Sequence, residues 1–307
     1  MKLLMLCREP RLYSCQRLKQ ATEKYGYQLD ILDPNRFLLK LEQGQFELYY
    51  QDGESYDKHR PRPEKVGLYQ GVLPRFGTTS TEMGCNVLRH FEQKQIPVLN
   101  NAQAFTLARD KWQSLQILAS HGIPIPDTLI HGELYATAES VKNFGLPMIM
   151  KTLSGSQGVG VMLVESLPSA LSLLETLKNA KVPCLLQRFI AESKGQDIRA
   201  FVIGDRVVAA IERTGASGEF RANIHRGGTA QAIQLSDTEQ KTAVQAAKAI
   251  GLDVAGVDLI LSQQGIMVLE VNASPGLEMI EQVTKVDIAG MMIEHLLKKC
   301  QESKVKM

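Results

Sequence analysis

The sequence has few cysteines and no long apolar run, and each shortage narrows the class of protein. Its five cysteines are odd in number and widely spaced, and no CxxC pair indicates a zinc site, a redox motif or a disulfide framework. No apolar stretch approaches the roughly 20 residues of a membrane span. The opening "MKLLMLCREPR" is broken by charges and is expected to form a first strand rather than a signal peptide. We therefore expect a cytoplasmic protein that makes no membrane contact.

An excess of charge of either sign is also absent. The chain has 35 lysines and arginines against 33 aspartates and glutamates, so its net charge of +2 predicts no dominant surface for nucleic acid. Two common phosphate-binding motifs, GxxxxGK[ST] and the dinucleotide fingerprint, are missing as well. With 307 residues, of which 44% are hydrophobic, the chain is large enough for two or three modules and a substantial core.

The first hundred residues alternate between strand and helix patterns. Strands are predicted at 2–7, 27–33, 71–77 and 96–100, and helices at 15–26 and 80–94. Ser14 is expected to cap the first helix, and the polar, proline-containing stretch 52–65 is expected to be a loop. Alternation of this kind predicts an α/β domain with a mainly parallel sheet.

Beyond about residue 145, hairpins with intervening helices predict an α+β architecture. The predicted elements are a helix over 104–122 with Trp112 in the core, a hairpin over 147–165, a helix over 168–178, a strand over 184–190, a hairpin turning at Gly204-Asp205, a helix over 236–251 and a closing helix over about 287–299. Ser236 and Glu239 predict a capping box at the start of the helix over 236–251. We expect three units and a frayed tail, at 1–103, 104–185, 186–300 and 301–307.

The stretch "VAGVDLILSQQGIMVLEVNASPG", residues 254–276, is a predicted hairpin with two carboxylates and an amide among apolar residues. With a turn near Ser262–Gly265, Asp258 lies opposite or diagonal to Glu270, and Glu270 shares a face with Asn272. Neither strand contains Lys or Arg, so the partner of these groups is expected to be a cation from outside. Oxygen ligands favour a hard ion such as Mg²⁺. The alternative is a half-buried hairpin with exposed polar groups.

Three further segments carry groups that suit a nucleotide. In "KTLSGSQGVGV", Lys151 precedes Gly155, Gly158 and Gly160, a pattern that favours phosphate contact but also fits an ordinary glycine-rich hairpin. The end of the strand "CLLQRFI" offers backbone groups to an adenine, and Asp197 offers a carboxylate to a ribose, although a structural role is favoured for both when this segment is taken alone. A set of cations and an amide suits a transferred phosphoryl group: Arg199, Arg213, Arg221 and Asn223. His225 lacks an evident base partner and is expected to be structural.

In this order the motifs resemble the RimK family of the ATP-grasp superfamily. The similar segments run from about residue 2 to 299 and are "YSCQRL", "PRFGT", "ARDK", "GSQGVGV", "AAIERT", "FRANIHRGG", "VAGVDL" and "LEVNASPGLE". As a set they are specific for the superfamily and less so for the subfamily, because related ligases share most of them. Arg188-Phe189 departs from the Glu-Tyr that is commoner in the family, which puts the nucleotide preference in doubt if a Glu side chain matters there.

The resemblance implies a pre-ATP-grasp domain followed by an ATP-grasp fold of two α+β subdomains. It also implies an enzyme that adds L-glutamate to the C-terminal glutamate tail of a small-subunit ribosomal protein through an acyl phosphate, as a homotetramer. Its implied ATP contacts are Lys111, Lys151, Gly155, Ser156, Gly158, Gln187, Arg188, Phe189, Ile190, Asp197, Arg221 and Asn223. Arg221, Asn223 and Arg213 are implied next to the transferred phosphoryl group. Asp258, Glu270 and Asn272 are implied ligands of two Mg²⁺ or Mn²⁺ ions.

The acceptor side of the reaction is less clear from the residues. Arg8 and Arg75 are expected at strand ends, where open α/β sheets bind ligands, and are candidates for holding an acidic tail. Arg60, Arg62 and Lys65 are further candidates, or else part of a solvated charged loop. Two alternative functions stay open. One is a related ligase acting on a free amino acid or an amino-group carrier protein, and the other is a nucleotide- or metal-binding module without catalysis.

Overall fold

The computed structural model describes residues 1–54, 56–153, 159–216, 218–222 and 227–305. Its N-terminal part contains β1 Lys2–Leu6, α1 Tyr13–Lys24, β2 Gln28–Leu32, β3 Phe37–Glu42, β4 Gln45–Tyr50, β5 Glu64–Lys65, β6 Val72–Pro74 and α2 Thr81–Gln93. The parallel sheet β2-β1-β6 lies at its centre, as the alternating pattern predicts. The segment 96–100 does not form a strand, because only Val98 bridges to β6.

A second N-terminal sheet, β3-β4-β5, was not predicted. Its hairpin turns at Gln43-Gly44, where both residues have positive φ, 49° and 77°. Turns with two positive φ angles match the twist of a two-residue hairpin, and they favour glycine or asparagine over glutamine. The turn signal in the sequence is therefore weak. β5 lies inside the predicted loop 52–65 and pairs with β4 through Tyr49 and Tyr50.

The middle of the chain contains α3 Ala102–Arg109, α4 Lys111–Ser120, β7 Thr128–Leu129, α5 Thr137–Phe144, β8 Met148–Thr152, β9 Val161–Val164, α6 Leu167–Asn179 and β10 Cys184–Arg188. The strands form an antiparallel sheet in the order β7-β10-β8-β9. The single helix predicted over 104–122 is wrong, because Asp110 leaves the helical conformation and its side chain caps α4. Trp112 is only half-buried, so its assignment to the core is also wrong.

The last part contains β11 Gln196–Ile203, β12 Arg206–Thr214, β13 Thr229–Ala232, α7 Asp237–Ile250, β14 Val254–Ser262, β15 Gly265–Asn272, α8 Glu278–Thr284 and α9 Ile288–Val305. Its sheet has the order β13-β12-β11-β14-β15. Both predicted hairpins are confirmed, as is the capping box of Ser236 and Glu239. The closing helix continues beyond the predicted end at 299, through residues expected to fray.

The N-terminal part and the five-stranded sheet share their core. One buried cluster joins β1, α2 and α3 to α7, β14 and β15, and a second joins α1 to α8 and α9. Asn100 is 1% exposed, and its amide donates to the carbonyls of Val254 and Ala273, at the two ends of the β14–β15 hairpin. Ser14 lies within α1 and does not cap it. Its hydroxyl accepts from the backbone N–H of Leu277 instead, so the cap prediction is wrong.

Candidate active site

The hairpin of the predicted metal ligands forms in the predicted register. It turns at Ser262–Gly265, and Asp258 lies directly opposite Glu270. Asn272 follows two residues later on the same face, and its amide nitrogen donates to the Glu270 carboxylate at 3.1 Å. The three oxygen-bearing side chains therefore share one patch of the five-stranded sheet.

Asp258 has counter-charges that its own hairpin does not supply, so the argument that it needs an external cation is wrong. Arg199 of β11 donates to both carboxylate oxygens at 2.7 Å, and Arg213 of β12 approaches one of them at 3.0 Å. Burial alone raises the pKa of Asp258, which is 4% exposed, but the two guanidinium groups outweigh it and lower the pKa. The carboxylate is therefore already ionised and neutralised by the protein.

Arg213 connects this pair to Asp197, the predicted ribose ligand. It donates to the two oxygens of Asp197 at 2.6 and 2.7 Å, directly across the β11–β12 hairpin. Burial raises the pKa of Asp197 more than the charge of Arg213 lowers it. Asp197, Arg213, Asp258 and Arg199 thus form one network over three adjacent strands, here called the charge ladder. Within it, Asp197 and Arg213 face each other, and their predicted contacts with ribose and phosphoryl group stay predictions.

Lys111 lies between the four-stranded sheet β7-β10-β8-β9 and the five-stranded sheet. It is close to the carboxylate hairpin, the β14–β15 pair that carries Asp258 and Glu270. It is the first residue of α4 and donates to the backbone carbonyls of Thr152 and Leu153, at 2.8 and 3.2 Å, where β8 ends. Burial lowers its pKa, and the charge of Glu270 opposes that shift. A lysine that is held by neutral carbonyls keeps its positive charge available to an anion.

Lys151 of β8 has a side-chain partner on the neighbouring strand. Its ammonium donates to Gln187 Oε1 of β10 at 2.7 Å, and the Gln187 amide nitrogen donates to Thr128 Oγ1 of β7 at 2.9 Å. Gln187 is 2% exposed. Burial lowers the pKa of Lys151, while the charge of Glu270 raises it. This relay fixes the ammonium near the same carboxylate that acts on Lys111.

Several oxygens at the hairpin remain for a divalent cation. Among the described residues Glu270 forms no ion pair, and the Asn272 amide donates through its nitrogen, to Glu270 and to the Gly256 carbonyl at 3.4 Å. A carboxylate offers about four lone-pair positions, so the three arginine contacts of Asp258 leave room for one more ligand. The described residues contain no group of three or more His, Cys, Asp or Glu side chains that could hold a metal ion. Because the hairpin offers two carboxylates and one amide, all with oxygen atoms, it suits a hard ion whose other ligands are phosphate oxygens and water.

The predicted adenine segment, Gln187–Ile190, is only partly free to bind a base. The Arg188 N–H donates to the Asp127 carbonyl at 2.8 Å, and the Ile190 carbonyl accepts from the Ser193 hydroxyl at 2.8 Å. Phe189 packs edge-on to Phe220 with ring centroids 6.5 Å apart. Within the described part of the chain, the backbone N–H and carbonyl of Phe189 have no hydrogen-bond partner, so this residue is best placed to contact an adenine edge.

Arg221 connects the segment that follows β12 to β9 of the β8–β9 hairpin. Its guanidinium donates to both oxygens of Glu219 at 2.9 Å and to the Val161 carbonyl at 3.2 Å, and it lies 4.9 Å from the Phe220 ring centre. The other predicted residues of this region, Gly155, Ser156, Gly158 and Asn223, lie outside the described residues, as does His225. Gly160 has a φ of 78° and lies against Thr152, so a side chain there is excluded.

Sequence reasoning noted the charge of Arg199 but missed its partner Asp258, and it missed Glu219 altogether. The hairpin that turns at Gly204-Asp205 brings Asp197 close to Arg213, but the register shift between Phe201 and Val202 makes them direct partners, and the sequence pattern did not show that shift. The contact of Arg199 with Asp258 requires the pairing of β11 with β14, which are far apart in the chain.

An α/β domain is followed by two antiparallel sheets that carry half-buried lysines and a carboxylate hairpin, and this combination defines an ATP-grasp ligase, a class of enzyme that uses ATP. The model of the RimK-like ATP-grasp domain matches residues 108–296, and the model of the RimK PreATP-grasp domain matches residues 1–105. The chain therefore belongs to the RimK family of α-L-glutamate ligases, and the predicted fold class is confirmed.

Curated proteins with similar sequences match this chain over almost its whole length. A probable alpha-L-glutamate ligase of Haemophilus ducreyi is 61% identical over 97% of this chain and 99% of its own length. One of Pasteurella multocida is 57% identical over 98% and 95%. Among the helices in the described ranges, none is long and apolar enough to cross a membrane.

Solved structures with low identity share the fold. The ATP-grasp ligase PsnB, in complex with a minimal precursor, Mg and ADP, gives a TM-score of 0.72 at 20% identity and covers 98% of both chains. A RimK domain protein from Sphaerobacter thermophilus gives 0.71 at 21% identity, over 97% of this chain and all of its own.

Proposed function

We propose that this protein extends the C-terminal glutamate tail of a small-subunit ribosomal protein with L-glutamate, at the expense of ATP. The observation that carries the proposal is the carboxylate hairpin of Asp258 and Glu270 close to two half-buried lysines, Lys111 and Lys151. Relatives that share more than half of the residues are named as probable glutamate ligases. We further propose that the enzyme acts in the cytoplasm as a homotetramer.

The proposed reaction has two steps and uses no protein nucleophile. An oxygen of the acceptor carboxylate attacks the γ-phosphorus of ATP, the bond from that phosphorus to the β–γ bridging oxygen breaks, and ADP leaves as the acyl phosphate forms. The amine of L-glutamate then attacks the acyl carbon, phosphate leaves, and the amine proton passes to solvent. Catalysis in such a transfer consists mainly of positioning and charge neutralisation.

The charged residues described above suit these tasks. Lys111 and Lys151 would bind phosphate oxygens, and Arg221 would stabilise charge on the transferred group, together with Asn223 and Arg213. Asp258, Glu270 and Asn272 would hold two Mg²⁺ or Mn²⁺ ions, which when bound neutralise phosphate charge. Phe189 would contact the adenine through its backbone, next to Gln187, Arg188 and Ile190.

Arg75 is the strongest candidate for the acidic acceptor. It follows β6, at the edge of the parallel sheet where ligands of such sheets gather. Its guanidinium has no hydrogen bond or ion pair within the described residues, and burial lowers its pKa. Arg8 lies at the same edge and bonds Thr79 at 2.9 Å. Lys65 is a weaker candidate, because Glu47 already pairs with it at 2.7 Å.

An intact-mass assay tests the proposal. The purified protein is incubated with ATP, Mg²⁺, L-glutamate and the candidate ribosomal protein, and the mass of the acceptor is followed. We expect ATP-dependent steps of one glutamate residue, and a Glu270→Gln variant as the inactive control. An unchanged acceptor mass, with ATP still consumed when free amino acids or a carrier protein are supplied, would instead favour a related ligase with another acceptor.

The basic residues near the loop 52–65 have a separate test. Charge reversal at Arg60, Arg62 and Lys65 should raise KM for an acidic acceptor, with KM for ATP unchanged. An unchanged acceptor KM would assign these residues to a solvated loop.

A further inference from the structure

Two of the five cysteines lie side by side at the start of the chain. Cys7 follows β1 and Cys15 is the third residue of α1, and their sulfur atoms are 3.3 Å apart. Both are buried, at 4% and 1% exposure. In the stretch that connects them, residues 8–12 are exposed and Tyr13 and Ser14 are half-buried. A reactive pair thus lies beneath a short surface loop.

The surroundings of Cys7 favour its thiolate. A hydrogen bond joins the two sulfur atoms, the backbone N–H of Glu9 donates to Cys7 Sγ at 3.4 Å, and Arg75 adds positive charge. These groups outweigh burial and lower the pKa of Cys7, whereas the same hydrogen bond raises the pKa of Cys15. One sulfur is therefore prepared as a nucleophile and the other keeps its proton.

The remaining cysteines have different environments. Burial raises the pKa of Cys85 and of Cys184, and Cys300 donates to the carbonyl of Gln70 at 3.0 Å. Cys184 is the most exposed of the five, so exposure alone predicts that it reacts first. Thiolate character thus predicts that the Cys7–Cys15 pair is oxidised first, whereas solvent exposure predicts that Cys184 is oxidised first.

We propose that Cys7 and Cys15 form a redox-sensitive dithiol, which hydrogen peroxide converts to an intrachain disulfide. The Cys7 thiolate attacks the peroxide oxygen and becomes a sulfenic acid, and the leaving hydroxide takes up a proton. The Cys15 sulfur then attacks the Cys7 sulfur, the disulfide forms, and water leaves. Overall, two thiols are oxidised and one peroxide is reduced to two waters. Closing the gap to a bond of about 2.05 Å requires only a small shift of the loop.

The position of the pair also predicts an effect on the acceptor. This part rests on the proposed function, in which Arg75 binds an acidic tail. The thiolate of Cys7 competes for the charge of Arg75, and a disulfide carries no charge. Oxidation should therefore lower KM for the acceptor at least about two-fold, because an ion-pair competitor is removed, and it should leave KM for ATP unchanged.

Peptide mapping of the oxidised full-length protein tests the dithiol without any activity assay. The protein is treated with increasing hydrogen peroxide, free thiols are blocked, and the chain is digested with trypsin. Cleavage after Arg8 and Arg11 separates the two cysteines, so fragments 3–8 and 12–17 stay together only through the disulfide. We expect this linked pair to form at least about ten-fold faster than Cys184 is lost, since thiolate character sets the rate. A thiol reductant should reverse it.

Two variants serve as a matched comparison. Cys184→Ser should leave the linked fragments unchanged, and Cys7→Ser should abolish them while Cys15 stays reduced. Oxidation of Cys184 before the pair, or a disulfide of Cys7 with any other cysteine, would overturn the proposal even if the Cys7→Ser variant does not fold. A mapped disulfide with an unchanged acceptor KM would overturn only the effect on Arg75, and it leaves the glutamate ligase assay as a separate test.

Discussion

Asp258 and Glu270 face each other across one hairpin and are expected to bind the same cations, yet their surroundings differ. Asp258 is buried and receives three arginine contacts, whereas Glu270 is half-buried and accepts from the Asn272 amide. The charge of Glu270 instead acts on Lys111 and Lys151, across the space between the sheets. The first carboxylate thus contributes to the fold as well as the site, and the second is available mainly to ligands.

The arginine contacts of Asp258 also explain how a carboxylate pair tolerates such proximity. Like charges opposite each other on a sheet repel, and a metal ion relieves this only while it is bound. The charge ladder relieves it permanently on the Asp258 side. The site is therefore formed before ATP and metal arrive, which lowers the reorganisation that catalysis requires.

The largest combined effect is expected for Asp258→Asn. This change leaves Arg199 and Arg213 without their shared carboxylate, and breaking a buried pair of this kind costs about 3 kcal/mol, toward the low end because Arg199 keeps some contact with water. Activity should be lost as well. Urea denaturation measures the free energy of unfolding, with Asp127→Asn as the control, since the Asp127–Arg188 pair is exposed. Wild-type stability of Asp258→Asn would show that the ladder does not stabilise the fold.

Glu270→Gln should separate activity from stability. Gln keeps the shape and the hydrogen bond with Asn272, and Glu270 forms no ion pair among the described residues, so the free energy of unfolding should change by less than about 1 kcal/mol. Turnover should fall by about 100-fold or more, because the metal ions lose a charged ligand. ATP turnover at saturating Mg²⁺ measures this, and Glu278→Gln, an exposed neighbour, is the control. Near-normal turnover of the folded variant would place the metal ions elsewhere.

Of the contacts made by Asp258, only those within its own hairpin were predictable from the sequence. One local hairpin brings Asp258 opposite or diagonal to Glu270, and this prediction is confirmed, while the register shift between Asp258 and Leu259 makes the two directly opposite. The contact with Arg199 depends on β11 pairing with β14, and no local pattern encodes which distant strands become neighbours. A search for counter-charges within the hairpin alone therefore predicted an external cation too readily.

Local signals failed for a different reason in the N-terminal part. The hairpin of β3 and β4 turns at Gln43-Gly44, without the asparagine or aspartate that marks such turns. In contrast, the capping box at Ser236 is encoded within four residues and was found. Ser14 matched a capping residue by type, but its hydroxyl is used by Leu277, more than 260 residues away, which only the tertiary fold determines.

A smaller effect on activity is expected when the hydrogen bonds that position Lys151 are removed. Gln187→Leu removes the acceptor of Lys151 and the donor to Thr128, so the ammonium loses its fixed position. We expect KM for ATP to rise about ten-fold, the value of roughly one charged hydrogen bond. Gln187→Glu should restore much of this, because a carboxylate also accepts from Lys151. Steady-state kinetics decide between positioning and mere packing, since a packing role predicts that neither variant differs in KM once folded.

The smallest effect is expected at the exposed counterpart of the ladder. Arg188 and Asp127 form a charge-assisted pair at 2.8 Å, as Arg199 and Asp258 do. The side chains of Arg188 and Asp127, however, are both more than half exposed. Arg188→Ala should therefore change the free energy of unfolding by less than about 0.5 kcal/mol. KM for ATP should stay within about two-fold, because a residue that binds adenine only through backbone tolerates a new side chain. A larger rise in KM would mean that the Arg188 side chain itself contacts the nucleotide, and that the departure from Glu at this position sets nucleotide preference.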